Sequence, residues 1–427
     1  MSELTLRQSV RQQIGVSVSI WTRRKVLAAG AATTLSAACS GGGINREKRV
    51  AVIGGGIIGA SIAYHLSKLG AQVTVLERHE VATRASRGTF AWLNATWAKQ
   101  PRHYHKFNQL GLAGWQELER ELDIPIKWGG SIEWFSNEGR QTQLVNQIAE
   151  QVEWGEPARM VDIEELRGLE PNVVFQPGQT AAFSPNDGAL DPVLATNILM
   201  AAAQKLGAIV NTNCAVKAVR TLSDGVAKVL ETDQGDVECE TFVLATGADP
   251  EATKALGGVD IPQRSTPGVI AVTQPLEPML NRIVVAPGVH IHQRSDGRVV
   301  LGEQQGAPQT QAHAMRLADR PNRFPSREIS LQHADRILSI AETYVPAIAQ
   351  SGIDDVYIGW RPLPLDGHPV LGLSPAEQAS YFAISHSGVS LATIIGRIAA
   401  QYIMEGIQVE GSSNYRPDRS FELVRRY

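Results

Sequence analysis

The stretch VAVIGGGIIGASIAYHLSKLGAQVTVLE, Val50 to Glu77, decides the architecture. Val50–Ile53 is a short apolar run that reads as a buried strand, followed by a glycine turn. Apolar residues at helical spacing lead to Gly70, and a second apolar strand ends at Glu77. Gly54, Gly56 and Gly59 form G-x-G-x-x-G. The first allows a tight turn, the second lets a pyrophosphate approach the backbone, and the third brings the helix onto the sheet. The helix start at Ile57 and Ile58 offers free N–H groups and partial positive charge to that pyrophosphate. Glu77 stands about twenty residues on, where a carboxylate accepts ribose hydroxyls. A lone glycine triplet is weak, but strand, helix, Gly70 and acidic terminus agree on a dinucleotide site. The fingerprint itself does not separate NAD from FAD.

Two later segments bear on that choice. In ETFVLATGAD, Glu240 to Asp249, an apolar strand runs into Ala245-Thr246-Gly247, small residues that let the main chain pass close beside a cofactor. The other is GWRPLPLDGHPVLG, Gly359 to Gly372, followed by YFAISHSGVSLATIIGRIAAQYI, Tyr381 to Ile403. Between them, in GALDPVLATNILMAAAQKLGAIVNTNCAVKAV, Asp191 suits an N-cap and Pro192 the first helical turn. Taken in order over roughly residues 48 to 405, these motifs resemble the FAD-dependent amino-acid oxidoreductase family that includes D-amino-acid oxidase, glycine oxidase and sarcosine oxidase. Gly359, Arg361, Pro362, Asp366, Gly367, Pro369 and Gly372 match the family's closing signature, while Ser385 stands where glycine is more usual. The resemblance implies FAD as cofactor. It places Gly54, Gly56, Ile57, Ile58, Gly59, Glu77, Arg78, Ser86, Val216, Ala245, Thr246, Gly247, Gly388, Val389 and Ser390 beside it.

The flanks set limits. At 427 residues the chain is long for one domain. The fold expected is α/β: an FAD-binding, Rossmann-like parallel sheet with helices, interleaved with an antiparallel-sheet α+β substrate domain. The cofactor domain is assigned to 46–100, 186–255 and 359–427, and the substrate domain to 101–185 and 256–358. Formal charge is −3 with no basic block in the folded region, which argues against nucleic acid as a partner. Residues 1–45 stand apart from the fold. Thr22-Arg23-Arg24-Lys25-Val26-Leu27 resembles a twin-arginine export signal, followed by an Ala-rich apolar run too short to span a bilayer. Cys39 and a Ser-Gly tether come next, with Leu35 one step out of register for a lipoprotein cleavage site. The expectation is a periplasmic or outward-facing protein with a possible membrane tether through Cys39, or a cytoplasmic one if the signal is unused. Cys214 and Cys239 are expected in strands as buried thiols. No cysteine lies beyond 239, and Gly88 occupies the approximate position of the histidinyl link of one family branch, so FAD is expected to be non-covalent.

Residues outside the cofactor segments alternate short strands, such as GVIAVTQ and VHIHQ, with polar turns such as Ser295-Asp296-Gly297. Helices are expected around His103–Leu122 and Ser330–Tyr344. His103-x-His105 and His290-x-His292 lack a third ligand, so no metal is expected, though His290 or His292 is a candidate pocket residue. Trp92, Trp97, Trp128 and Trp134 are candidates for pocket wall or core. Arg361 is the leading catalytic candidate, because a guanidinium matches a carboxylate with two parallel bonds and the family uses the G-x-R-P arginine for that purpose. The resemblance implies oxidation of the C–N bond of a small amino acid or N-methyl amino acid, by hydride transfer to flavin and imine hydrolysis. Oxygen or a respiratory carrier would be the acceptor. Two alternatives stay open: a flavin dehydrogenase of a 2-hydroxy acid or glycerol phosphate, and a flavin-binding protein without turnover.

Overall fold

The computed structural model describes residues 48–95, 99–222, 227–303, 319–409 and 411–423, all within one compact unit. The export-signal reading of residues 1–45 and the candidate Trp97 lie outside the described residues. The opening stretch forms β1 (Arg49–Ile53), α1 (Ile57–Lys68) and β2 (Gln72–Leu76). β1 sits inside a six-stranded sheet with β9 (Ile209–Asn211), β13 (Thr241–Leu244), β19 (Val370–Leu373) and β20 (Ser380–Ile384), in the order β19-β20-β13-β1-β2-β9. Val50 is in register with Val73 on one side and Thr241 on the other, both parallel. Only β19 runs antiparallel. A strand between two parallel neighbours with helices over it is buried on both faces, which is why Val50–Ile53 shows no polar alternation.

Seven further α-helices follow among the described residues: α2 (Arg102–Leu122), α3 (Glu138–Glu153), α4 (Ile163–Leu169), α5 (Pro192–Lys205), α6 (Pro250–Gly257), α7 (Arg327–Tyr344) and α8 (Gly388–Glu405). α1 packs against α5 and α8, burying Ile62, Leu66, Leu199, Ile395 and Ala399 in one core. Asp191 caps α5 as its sequence indicates, its Oδ1 accepting from the N–H groups of Val193 and Leu194.

The second large sheet has eight strands: β5 (Ser131–Glu133), β6 (Arg159–Val161), β7 (Ala181–Ser184), β14 (Gln263–Pro275), β15 (Ile283–Ala286), β16 (Val289–Gln293), β17 (Arg298–Glu303) and β18 (Ile353–Pro364). Their order is β18-β14-β17-β16-β15-β5-β7-β6, antiparallel at every step except β15 with β5. Ser295-Asp296-Gly297 turns β16 into β17, as expected. α7 covers this sheet and buries Ala334, Ile337 and Ala341 against it. Two small sheets accompany these among the described residues. β3 (Trp92–Leu93) and β4 (Ile126–Trp128) flank β8 (Gly188–Leu190), and β10 (Val216–Thr221), β11 (Lys228–Thr232) and β12 (Gly235–Cys239) form a meander.

β14 is longer than its sequence suggests. GVIAVTQ stops at a proline, yet the strand extends back through Pro267 to Gln263. Proline lacks the N–H that a ladder needs. Pairing with β17 begins only at Ile270, so Pro267 faces one neighbour and no second ladder is broken. Cys214 is a correction: it lies between β9 and β10 rather than in a strand. Asn213, at φ +54°, ends the extended run, and the Cys214 N–H then donates to Glu77 O at 2.8 Å. Both Cys214 and Cys239 are buried free thiols. His103 and His105 lie on α2, where His105 Nε2 meets Glu156 Oε1 at 3.1 Å. No group of three His, Cys, Asp or Glu able to hold a metal occurs among the described residues.

Asp366 of the closing signature has a structural partner. Its carboxylate accepts from Arg419 Nε at 2.7 Å and NH2 at 3.1 Å, tying the chain's late segment to the turn before β19. Burial raises its pKa, but the hydrogen bonds from His368 and Arg419 outweigh this and hold it at about 2. A depressed carboxylate stabilises the fold above its unfolded value and loses that contribution as pH falls through its folded value. Arg419→Ala is therefore expected to cost about 1–3 kcal/mol at pH 7, below the loss at a fully buried pair because solvent reaches this one. The deficit relative to wild type should shrink between about pH 4 and 2. Urea unfolding of both proteins across that range checks it.

Candidate active site

The carboxyl ends of β1, β2 and β13 open onto a cavity of about 920 Å³ that continues beneath the eight-stranded sheet. Its nucleotide end is the glycine turn. Gly54 has φ +117°, and a Cβ there would stand 2.3 Å from Ala245 O. A Cβ on Gly59 would stand 2.0 Å from Gly54 O, so helix, turn and β13 touch through backbone. Gly56 differs: a Cβ there meets only Ser86 Oγ, at 3.2 Å. α1 has no side-chain cap of its own, and Ser86 Oγ instead accepts from Ile57 N at 3.0 Å. Glu77 braces the turn, Oε2 accepting from Gly55 N at 2.6 Å and Oε1 from His79 N at 2.9 Å. Each carboxylate oxygen keeps a further lone pair, and Glu77 lines the cavity. Arg78 lines the cavity but pairs with Asp249 Oδ2 at 2.6 Å, bridging the segments after β2 and β13.

The remaining candidates converge on the same space. Val216, Ala245, Thr246, Gly247, Gly388, Val389 and Ser390 all line the cavity with Ile57 and Ile58; of the residues expected beside the cofactor, Gly59 alone does not, being spent on packing. Ser390 Oγ is committed elsewhere: it accepts from Asn94 N at 3.0 Å and donates to Trp92 O at 3.1 Å. Ser387, at the start of α8, makes no side-chain cap bond, and the helix opens beside the cavity.

Arg361 lies under the second sheet. β18 and β14 hold it opposite Thr266, and its guanidinium lies over Gly268, where a Cβ would be 2.8 Å from NH2. Among the described residues it has no hydrogen bond or ion pair. Burial lowers its pKa, yet a guanidinium stays charged. Two imidazoles share this wall. His290 is pushed down to about 4 by burial, then by Arg361 and Arg140; His386 is pushed to about 3 by burial, then by Arg361 and Lys99. Both are neutral at pH 7. His292 is no pocket residue, since its Nε2 meets Phe90 O at 2.9 Å. Of the tryptophans described, Trp92 walls the cavity, Trp128 bonds Glu119 at 2.7 Å, and Trp134 is buried in the core.

Sequence reading missed Lys99, Glu133, Phe135 and Arg140, which also line the cavity. Lys99 Nζ donates to Asn94 O at 2.9 Å and Asn108 Oδ1 at 3.1 Å, and burial pulls its pKa down to about 8. None of these belongs to a motif. Only the pairing of β5 through β15 to β16, Glu133↔Val285↔His290, brings Glu133 into line with His290.

A glycine-turn cradle opening into a cavity roofed by a second sheet defines a dinucleotide-dependent oxidoreductase of two-sheet architecture. Residues 49–402 match the model of the family described as FAD dependent oxidoreductase (DAO), and the chain belongs to that family. It is 27% identical over 389 residues to glycine oxidase from Bacillus licheniformis, covering 88% of this chain and 98% of that one. It is also 27% identical over 398 residues to 4-methylaminobutanoate oxidase (formaldehyde-forming) from Paenarthrobacter nicotinovorans, covering 88% of this chain but spanning about half of that protein, 47%. The crystal structure of glycine oxidase from Geobacillus kaustophilus superposes with a TM-score of 0.74 at 24% identity, covering 88% of this chain and 100% of that one.

The residues present fit FAD. Gly56 leaves room for a pyrophosphate at the start of α1, Glu77 keeps acceptors toward a ribose, and α8 opens toward the far end.

Proposed function

We propose that the protein oxidises the C–N bond of a small amino acid or N-methyl amino acid, with FAD held non-covalently. The observation that carries this reading is Arg361: a charged, unpaired guanidinium among the described residues, in the same cavity as the dinucleotide cradle. Such a group calls for an anion, and a carboxylate fits its planar fork. Bound flavin supplies the two-electron acceptor. The chain supplies placement and field. Arg361 fixes the carboxylate end, and rigid pairing of β14 with β18 fixes Arg361. Neutral His290 and His386 add hydrogen-bonding sites without a second full charge beside the amine. Phe90, Trp92 and Phe135 line the space with apolar surface that excludes water, which strengthens every charge interaction inside. The start of α8 turns partial positive charge toward the cavity, favouring electron-rich species there. The names of the two relatives, a glycine oxidase and a methylaminobutanoate oxidase, agree with an amine donor. In the test, holoenzyme is mixed with substrate without air. One carbonyl product and one amine or ammonia should form for each flavin reduced; reduction without release of an amine or ammonia would exclude C–N oxidation.

Non-covalent attachment has its own expected result: heat or acid releases intact FAD into the supernatant. A histidinyl link at position 88 has no room, because a Cβ on Gly88 would stand 2.4 Å from Gly359 Cα. Cys239 does not line the cavity, and Cys214 does so at the end near Glu77 and Val216. Flavin absorbance that stays with the precipitated polypeptide would contradict the expectation.

A further inference from the structure

Beyond the nucleotide end, a second guanidinium shares the wall with Arg361. Arg361 comes from β18 at one edge of the eight-stranded sheet. Arg140 comes from the first turn of α3, which follows β5 on the opposite side of β16. His290 on β16 lies between these two strands in the sheet order, and both cations act on it. A ligand anchored on Arg361 that extends past His290 therefore heads for Arg140.

Arg140 is exposed, and its guanidinium rests over the Phe135 ring at 4.6 Å. Among the described residues it has no side-chain hydrogen bond or ion pair. Its place is not one that helix stability favours: a cation in the first turn adds to the positive end of the macrodipole. Anions at this end of the cavity do not cancel it. Glu133 is one carboxylate against two guanidiniums, and Glu303 is in an ion pair with Arg336. The wall is left with unmatched positive charge, and Phe135 holds one of its sources in position.

We propose that Arg140 binds a second anionic group of the substrate, so that the amine oxidised here carries two carboxylates. The inference rests on the amine-oxidising reading above. The second carboxylate sits either on the amino-acid side chain or on the nitrogen substituent.

Glutarate and butyrate test this without turnover, because neither has an amine to oxidise and they differ by one carboxylate. Each is titrated into FAD-loaded protein and followed by flavin absorbance and by calorimetry. Glutarate should bind roughly three- to tenfold tighter, the scale of one partly exposed ion pair. Arg140→Gln should erase that preference and Arg140→Lys should keep part of it. Equal affinities in the wild type, or a preference that survives Arg140→Gln, overturn the proposal. Glutamate and N-carboxymethyl amino acids, tried as reductants, then separate the two positions of the second carboxylate. A glutarate preference with no amine able to reduce the flavin would sink the amine-oxidising reading, and this proposal with it, leaving only an anion site. Reduction by monocarboxylates with no glutarate preference would sink this proposal alone.

Discussion

Arg361→Ala is expected to lower kcat/KM by about 30- to several-thousand-fold while the purified protein keeps its FAD. The magnitude follows from truncating one member of a desolvated charge pair, roughly 2–5 kcal/mol at tenfold per 1.4 kcal/mol. FAD should stay because the guanidinium lies over Gly268 beneath the second sheet, away from the turn at Gly54–Gly59. Arg361→Lys should recover only part of the loss, since an ammonium cannot reproduce a planar fork. The defect should narrow for substrate amides, which never used the contact. Steady-state kinetics on acid and amide pairs, with flavin content measured on the same samples, checks all three. Loss of FAD with the remaining holoenzyme fully active would make the arginine structural.

The second large effect is expected at Gly56. Gly56→Leu should give a folded protein that purifies without FAD. Gly54 does not allow this experiment, because its φ of +117° and the 2.3 Å approach to Ala245 O make any side chain a folding defect. At Gly56 a Cβ meets only Ser86 Oγ, so a side chain enters the cavity instead of the core. It then occupies the space that a pyrophosphate needs at the start of α1. Flavin content, together with circular dichroism showing retained helix and sheet, checks it. Stoichiometric FAD in Gly56→Leu would show that the pyrophosphate lies elsewhere.

These two positions were legible in the sequence for different reasons. The β1–α1–β2 unit is local: strand, turn and helix carry their own periodicity, and Gly59 answers to Gly54 within the same turn. Arg361 was legible only through the motif around it, since nothing in spacing says that an arginine on a long strand lies beneath a sheet. Ser86 shows where local reading stops. The cap of α1 comes from 29 residues downstream because Gly56 has none to offer. β14 shows it again: Pro267 ends a strand by local rules, and only the late start of β17 pairing explains its survival. Lys99, Glu133 and Arg140 were not legible at all. They reach the cavity through the register of β5, β15 and β16 and the packing of the segment around Asn94, relations that no window of the chain contains.

In the proposed reaction one cavity joins a dinucleotide cradle to a carboxylate-anchored amine. Anaerobic reduction of the FAD-loaded protein by a panel of amino acids, N-methyl amino acids, 2-hydroxy acids and glycerol phosphate tests it most directly. Amino acids or N-methyl amino acids are expected to bleach the flavin, and Arg361→Ala to abolish or strongly slow that bleaching. Bleaching by hydroxy acids or glycerol phosphate alone, or by nothing in the panel, would contradict it.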